Sequence, residues 1–394
     1  MIGDRNIVCV ASSWFESPTS KHHVMRMLSE SNNVLWVNFH ASRRPTLTRR
    51  DAGMVFRRLR QAWSGVRRVS PTMEVLSPLL IPLPESRVAR KVNARVLARQ
   101  IKGALRRLPK QPTQLWLFTP DVPELIALLP TERVVYYCVD DFAAFKGYNT
   151  RLIEELESQT IDASDVVIAT SKVLYEACAA RHPNTHFVPH GVDFDHFAKA
   201  TRMSRDDVPA DVRRLRRPVL GYFGLLGDYV DMELIGRAAR RKPEWSFVFI
   251  GEVRRDVSML RGMDNVHLLG RRTYESLPAY CRGFDVGLIP FRMNRLTRAV
   301  NPIKLPEYLA AGLPVVSAPM HAVERFAPQV RTARTTDEFV EACASALQSG
   351  GEEAHRTRQD LVRSESWRAR VETLSQIVCK GVEQPGAARP LTFG

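Results

Sequence analysis

The chain has 394 residues, 44% of them hydrophobic and 25% charged, enough for two domains and ordinary for a globular protein. No apolar run approaches the roughly 20 residues needed to span a bilayer, and the first residues lack the apolar core and processing site of a secretory signal, so neither a spanning nor an exported protein is expected. Six cysteines, at 9, 138, 178, 281, 343 and 379, are scattered without metal-ligand spacing and read as reduced, buried thiols of a cytoplasmic protein.

The charge is uneven. The net charge is +15, from 57 Lys and Arg against 42 Asp and Glu. Between Arg43 and Lys110 stand 18 Lys and Arg against Asp51, Glu74 and Glu85, itself a balance of +15, so the rest of the chain is neutral at 39 against 39. The basicity is a local feature and asks for a local explanation.

In chain order, 6–11 reads as a buried strand, 12–20 as a loop, 21–30 as a helix and 33–39 as a second strand, a β-α-β opening of the doubly wound kind. Met54, Val55, Phe56, Leu59, Trp63 and Val66 then recur near helical spacing, with Arg57, Arg58, Arg60, Arg67 and Arg68 between them. That is the composition of an interfacial amphipathic helix, whose arginines meet anionic headgroups. A solvated helix, a nucleic-acid patch and a site for an acidic substrate share the pattern. No readable nucleic-acid motif accompanies it, so nucleic acid is not an expected partner, and residues 43–110 are expected to make peripheral contact with an anionic membrane.

Residues 78–84 form a proline-punctuated link, 87–107 a second basic helix, and 114–118 a strand running into Thr119-Pro120-Asp121 and a helix that ends near Pro130. A buried strand over 134–139 ends in Asp140-Asp141. Carboxylates just past the carboxyl end of a parallel strand lie where open α/β sheets bind ligands; capping the next helix is the other reading for one of the two. A helix over 149–161, a strand over 166–169, a Ser171-capped helix and a strand over 185–189 lead to His190-Gly191-Val192-Asp193-Phe194. The charged stretch 199–217 reads as a linker. The expected division is therefore a first domain over 1–198, a second over 218–380 and a disordered tail over 381–394.

The second half opens on a strand over 219–223, followed by Gly224-Leu225-Leu226-Gly227-Asp228 and then Asp231 and Glu233. Strands over 247–251 and 266–269 follow, and Thr273 stands where its hydroxyl would cap a helix. A buried strand over 285–291 leads through a loop over 292–300 into Asn-Pro-Ile-Lys-Leu-Pro-Glu-Tyr-Leu-Ala-Ala-Gly-Leu-Pro-Val-Val-Ser, residues 301–317. Asn301-Pro302 is a helix-start signal. Pro306 fits a regular helix only in its first turn, so either 301–305 is a loose opening turn or the helix begins at Pro306. Gly312 ends the helix and Val315-Val316 begins a strand. Lys304, near the helix start, would complete a diphosphate site. Glu307, three residues on, can accept hydrogen bonds from vicinal hydroxyls such as those of a ribose; an i, i+3 ion pair on an ordinary surface helix is the other reading. Helices over 337–348 and 360–380, the latter anchored by Trp367, close the chain.

The strand ending in Pro290, the loop after it and the stretch 301–317 with its Gly-Leu-Pro-Val-Val end resemble the donor-binding core of GT-B glycosyltransferases of the retaining, family 4-like (group 1) kind, which includes bacterial enzymes of cell-wall and exopolysaccharide synthesis. The resemblance covers most of 130–380. It implies an α/β fold of two facing doubly wound, Rossmann-like domains with a nucleotide sugar in the cleft between them, and a last helix that returns to the first domain. It further implies metal-independent transfer of a hexose from a nucleotide-diphosphate sugar to a carbohydrate or lipid-linked acceptor, with retention of configuration and no cofactor. In the family pattern two Glu are separated by seven residues. Glu307 matches the second, which binds the nucleotide ribose; the first falls on Ala299, so the donor-sugar contact is missing or passes to Arg298 or Asn301. His190-Gly191-Val192-Asp193 resembles the motif that ends the N-terminal domain, where Gly191 would let the backbone approach the nucleotide sugar and Asp193 would fix the turn. Gly224 and Gly227 correspond to the glycine loop beneath the donor phosphates but lack the basic residues usual there, so phosphate charge falls to Lys304, Arg298 and Arg254 or Arg255. Lys304 is the expected leaving-group stabiliser. Asp140 and Asp141 are the catalytic candidates on the acceptor side, which Ser12, Trp14 and His22 could line, a solvated loop being the other reading for each of these three. A sugar-nucleotide epimerase and a non-catalytic nucleotide-sugar-binding protein are the alternatives in the same fold. The expected location is the cytoplasm, at the inner face of the cytoplasmic membrane.

Overall fold

The computed structural model describes residues 1–16, 18–39 and 65–380. They form two units, Met1–Pro189 with the chain from Arg370, and His190–Ala369. The return of the chain end to the first unit agrees with what the resemblance implies.

Runs rich in Val, Ile, Leu and Trp, buried on both faces, make the central strands of the first unit. Its strands are β1 (Asn6–Ala11), β2 (Asn33–Asn38), β3 (Val66–Ser70), β4 (Met73–Leu76), β5 (Thr113–Leu117), β6 (Arg133–Cys138), β7 (Val166–Ala169) and β8 (Thr185–Phe187). Their order is β3-β4-β2-β1-β5-β6-β7-β8, parallel except for the β3/β4 hairpin. The chain winds outward in both directions from β1, so the loops after β1 and its neighbour β5 diverge and open a crevice at their carboxyl ends. Helix Arg87–Leu105 is capped by Ser86, whose Oγ accepts from the Ala89 N–H at 3.3 Å, and it buries Ala94, Leu97, Ala98, Ile101 and Ala104 at helical spacing. Val66, Arg67 and Arg68 belong to β3, paired antiparallel with β4, and not to an amphipathic helix. The remainder of that expected helix, 54–63, lies outside the described residues. No helix of the described residues is long and apolar enough to cross a membrane.

The second unit is a six-stranded parallel sheet of β9 (Val219–Phe223), β10 (Ser246–Ile250), β11 (Val266–Gly270), β12 (Val286–Ile289), β13 (Val315–Ser317) and β14 (Val330–Thr332). Its order is β11-β10-β9-β12-β13-β14, which places the reversal between β9 and β12. Phe247, Phe249, Leu288, Tyr308 and Phe339 are among its buried side chains.

Several expectations are corrected here. The stretch 199–217 is part of the second unit: Val208 and Val212 are buried, and a Cβ on Gly283 would lie 2.8 Å from a methyl of each. Its charged residues face outward around two anchoring valines, which is why composition alone reads as a linker. The loop over 292–300 contains a helix, Arg295–Ala299, started by a reciprocal cap in which Asn294 Oδ1 accepts from Thr297 N at 3.0 Å and Thr297 Oγ1 from Asn294 N at 2.9 Å. Thr273 makes no capping bond. The closing helix is two, Glu352–Asp360 and Trp367–Lys380. Five of the cysteines are buried thiols, but Cys379 is exposed.

Helix Glu352–Asp360 has a specific task. Arg358 is fully buried and donates from Nη1 to Gly312 O at 3.0 Å and from Nη2 to Ser349 O and to Ser349 Oγ at 2.9 Å; Gln359 Nε2 donates to Ala310 O at 2.9 Å. These are carbonyls that a helix end leaves without donors. Arg358→Ala is expected to lower unfolding stability by about 2–4 kcal/mol, through orphaned carbonyls and a cavity, read as a fall in the urea midpoint at constant slope. A loss below about 0.5 kcal/mol, the range of ordinary surface substitutions, would mean that other donors take over.

Candidate functional site

The second unit concentrates its polar chemistry at the switch point between β9 and β12. Strand β9 is followed directly by Gly224, at φ +134°, and β10 by Gly251, at φ +148°, both in a region that favours glycine. The two loops meet closely: a Cβ on Gly251 would lie 1.9 Å from Gly224 O, and Gly224 N donates to Ile250 O at 2.8 Å. Bare backbone is therefore presented at the carboxyl end of the central strand.

Lys304 comes to this spot from the other side of the switch point. A Cβ on Gly224 would lie 3.1 Å from Lys304 Cε and 3.2 Å from Nζ. The ammonium stands 5.1 Å from the Tyr222 ring centre and 5.3 Å from that of Phe291, close enough for cation–π attraction. Tyr308 ties the helix to the sheet, its hydroxyl accepting from the Phe223 N–H at 3.1 Å. Sequence reasoning missed Tyr222, Phe291 and Tyr308, because as apolar strand and helix residues they carry no motif.

Helix Lys304–Ala310 begins later than Asn301 and earlier than Pro306. Its N-cap position is Ile303, without a side-chain cap, and Pro306 lies in the first turn, where its missing N–H costs nothing. Asn301 is thus not the cap. With seven residues this helix has a weak dipole, and the positive charge at Gly224 is mainly the Lys304 ammonium. Glu307 is 5% exposed. Burial raises its carboxyl, Lys304 pulls it back down and Asp193 pushes it up; burial likewise lowers the Lys304 ammonium, against the pull of Glu307. Gly224, Lys304, Glu307 and Asp193 thus form one electrostatic group. Asp193 also caps helix Phe194–Ala198, its Oδ1 accepting from His196 N at 3.3 Å.

The other expected site residues fall elsewhere. Gly227 packs under Tyr229, 2.8 Å from ring carbon to a built Cβ. The close approach at Gly191 is to protein: a Cβ there would lie 2.8 Å from Trp367 Cα, while Val192 N donates to Glu365 O at 2.9 Å and Trp367 N to Val192 O at 3.2 Å. Packing against Trp367 is by itself enough to require a residue without a side chain there. His190 is buried, its ring 6.0 Å from that of Trp367. Arg298 is exposed on its short helix, next to the buried Ala299. Arg254 pairs with Glu252 at 3.0 Å, and Arg255 with Glu233 at 3.3 Å and with Val230 O. Arg292 also pairs with Glu233. Of the cations expected to meet phosphate, Lys304 is the one placed at Gly224.

The first unit carries its own cluster. Asp140 and Asp141 follow β6, and Asp141 makes no capping bond to the turn after it. The Asp140 carboxyl is pushed up to about 7 by burial, with Lys21 opposing and Asp141 reinforcing the shift. Lys21 donates to Ser12 Oγ just beyond β1, and burial lowers its ammonium against the pull of Glu16, Asp140 and Cys9. Lys21 was not singled out from sequence, where it is one basic residue at a helix start. His22 is only 1% exposed, its ring 5.3 Å from Trp14 and 4.9 Å from Trp36, and burial drives it down to about 3, so it is a neutral packing residue and not a surface ligand.

Residues 217–349 match the glycosyl transferases group 1 family. TuaH of Bacillus subtilis strain 168, named a putative teichuronic acid biosynthesis glycosyltransferase, is 28% identical over 274 residues, which is 64% of this chain and 68% of that protein. Among solved structures, sucrose-phosphate synthase of Thermosynechococcus elongatus matches with a TM-score of 0.69 at 13% identity over 95% of this chain and 98% of the other. HepE of Anabaena, in complex with UDP and glucose, matches with a TM-score of 0.66 at 12% identity over 95% and 99%. At these identities the structural likeness speaks to the fold, which is GT-B.

Proposed function

From the premise that this chain is a group 1 glycosyltransferase of the GT-B fold, we propose that it moves a hexose from a nucleoside-diphosphate sugar to a carbohydrate or lipid-linked acceptor in the synthesis of a cell-surface glycan, with retention of configuration. The observation that carries this reading is the Lys304 ammonium held over the bare Gly224 backbone at a sheet switch point, with the buried Glu307 three residues on. Negative charge grows on the diphosphate as its bond to the sugar breaks, and a fixed ammonium in a poorly solvated place stabilises that growth. The proposal assigns this charge to Lys304 and not to a divalent cation. Glu307 is assigned the ribose hydroxyls. On the acceptor side Asp140 receives the hydroxyl that is to react. The TuaH name supports a cell-envelope glycan as the product class, and the HepE complex supports UDP as the first nucleotide to try. The proposed place of work is the cytoplasmic face of an anionic membrane, supported by the basic stretch 43–110.

Thermal shifts with UDP-, GDP- and ADP-sugars test the donor class: one nucleotide series should raise the melting temperature, and no shift with any would count against the reading. Glu307→Ala is expected to weaken binding of the preferred nucleoside diphosphate at least about tenfold, since a hydrogen bond to a charged group contributes about 1.5–3 kcal/mol. Titration calorimetry reads this directly, and unchanged affinity would remove the ribose assignment.

A further inference from the structure

We propose that the outer face of helix Arg87–Leu105, with the link that precedes it, is the surface that docks this enzyme on an anionic lipid bilayer. The inference rests on the membrane part of the reading above and assigns it to an element. Among the described residues thirteen large hydrophobic side chains are exposed, and six of them fall within 79–96: Leu79, Ile81, Leu83, Val88, Val92 and Val96. Scattered single exposures need no explanation, but six gathered within eighteen residues do. Val88, at 72% exposed, Val92 and Val96 recur every four residues, so they line one face of the helix over about 12 Å.

Each valine has a cation beside it. Arg87, Lys91 and Arg95 immediately precede the three valines, Arg99 continues the row one turn on, and all four are exposed. Residues 86–120 contain nine Lys and Arg and not one carboxylate. Among the described residues the ion pair on this helix is that of Arg90, turned inward to Glu124 at 2.9 Å. The link is held in place: Asn93 accepts from the Ile81 N–H and donates to the Ile81 carbonyl, both at 2.8 Å, so Leu79, Ile81 and Leu83 are carried on a fixed support. Short apolar side chains beside long cationic ones suit the boundary of a bilayer, where valines enter the acyl edge and Arg and Lys reach back to phosphate. Each cation near such a surface adds about 1 kcal/mol. A nucleic acid would use the cations but not the valines.

Flotation of the full chain with vesicles of phosphatidylcholine containing 30% phosphatidylglycerol, and with phosphatidylcholine alone, tests the proposal. The wild type should float with the anionic vesicles and not with the neutral ones. V88S/V92S/V96S should lower the partition coefficient at least tenfold, and K91E/R95E/R99E should abolish binding, with melting temperature and nucleotide affinity unchanged in both. Wild-type flotation that survives both triple changes would overturn the helix assignment while leaving membrane association through another segment. No flotation of the wild type would overturn both. Salt-sensitive binding to duplex RNA that ignores the valines, without vesicle binding, would assign the face to nucleic acid instead.

Discussion

Lys304→Met is expected to lower turnover by about 10²–10³, the cost of removing one charged or hydrogen-bonding stabiliser of a growing anion, about 2.7–4 kcal/mol. Methionine keeps most of the side-chain volume that lies on Gly224 and between the Tyr222 and Phe291 rings, so the fold should not suffer. Stability should rise, since burial already disfavours the ammonium in the folded protein. The loss should appear chiefly in kcat, because the diphosphate carries more charge on its bridging oxygen in the transition state than in the ground state. Glu307→Ala should show the opposite split, with weakened nucleotide binding and a smaller change in kcat. Steady-state kinetics on the preferred donor separates the two, and a Lys304→Met enzyme with full kcat and a raised KM would reduce Lys304 to a binding residue.

Much of this site is legible in the sequence. Strands such as 6–11, 166–169 and 219–223 are apolar runs bounded by turn residues, and the structure places β1, β7 and β9 on those residues. The polar grouping of Lys304 with Glu307 follows from i, i+3 spacing alone. What sequence could not show is contact across many residues. Tyr222 lies in β9 and Phe291 two residues past β12, and both ring centres come within 5.3 Å of the Lys304 ammonium. The packing of Gly191 against Trp367 joins residues 176 positions apart along the chain, which no local motif shows. The linker reading of 199–217 failed for the same reason, since Val208 and Val212 reveal their role only against Gly283. The capping role given to Asn301 failed because Ile303 occupies the cap position ahead of a helix that starts at Lys304. Charge patterning was read on 54–68 as one helix, yet Val66, Arg67 and Arg68 pair in a hairpin. The amphipathic face that the structure does describe lies further on, between Val88 and Val96.

Asp140→Asn is expected to produce two effects of opposite sign, and together they identify the residue. As the proposed acceptor-side carboxylate it should cost about 10²–10⁴ in kcat, the usual contribution of a positioned acid or base. The wild-type acid limb should have its midpoint near pH 7, where the Asp140 carboxyl sits through burial, with Lys21 opposing that shift and Asp141 adding to it. Activity therefore rises with pH through 7 as the carboxylate forms. Stability runs the other way. The folded protein holds this proton more tightly than the unfolded chain does, so the stability contributed by the group is complete below about pH 4, declines between 4 and 7, and is lost above 7. Asparagine has no proton to lose. The variant's stability relative to wild type should grow across that window and level off above pH 7, reaching about 1–2 kcal/mol, less than the full shift implies because the half-buried carboxylate keeps some water. Lys21→Met removes the opposing charge and should move the acid limb to higher pH with the fold intact. Melting curves at pH 4.5 and pH 8, set beside the pH–rate profile, decide the matter. A variant that loses activity without gaining stability at pH 8 would point to a disturbed fold, and one that keeps its activity would remove Asp140 from the reaction.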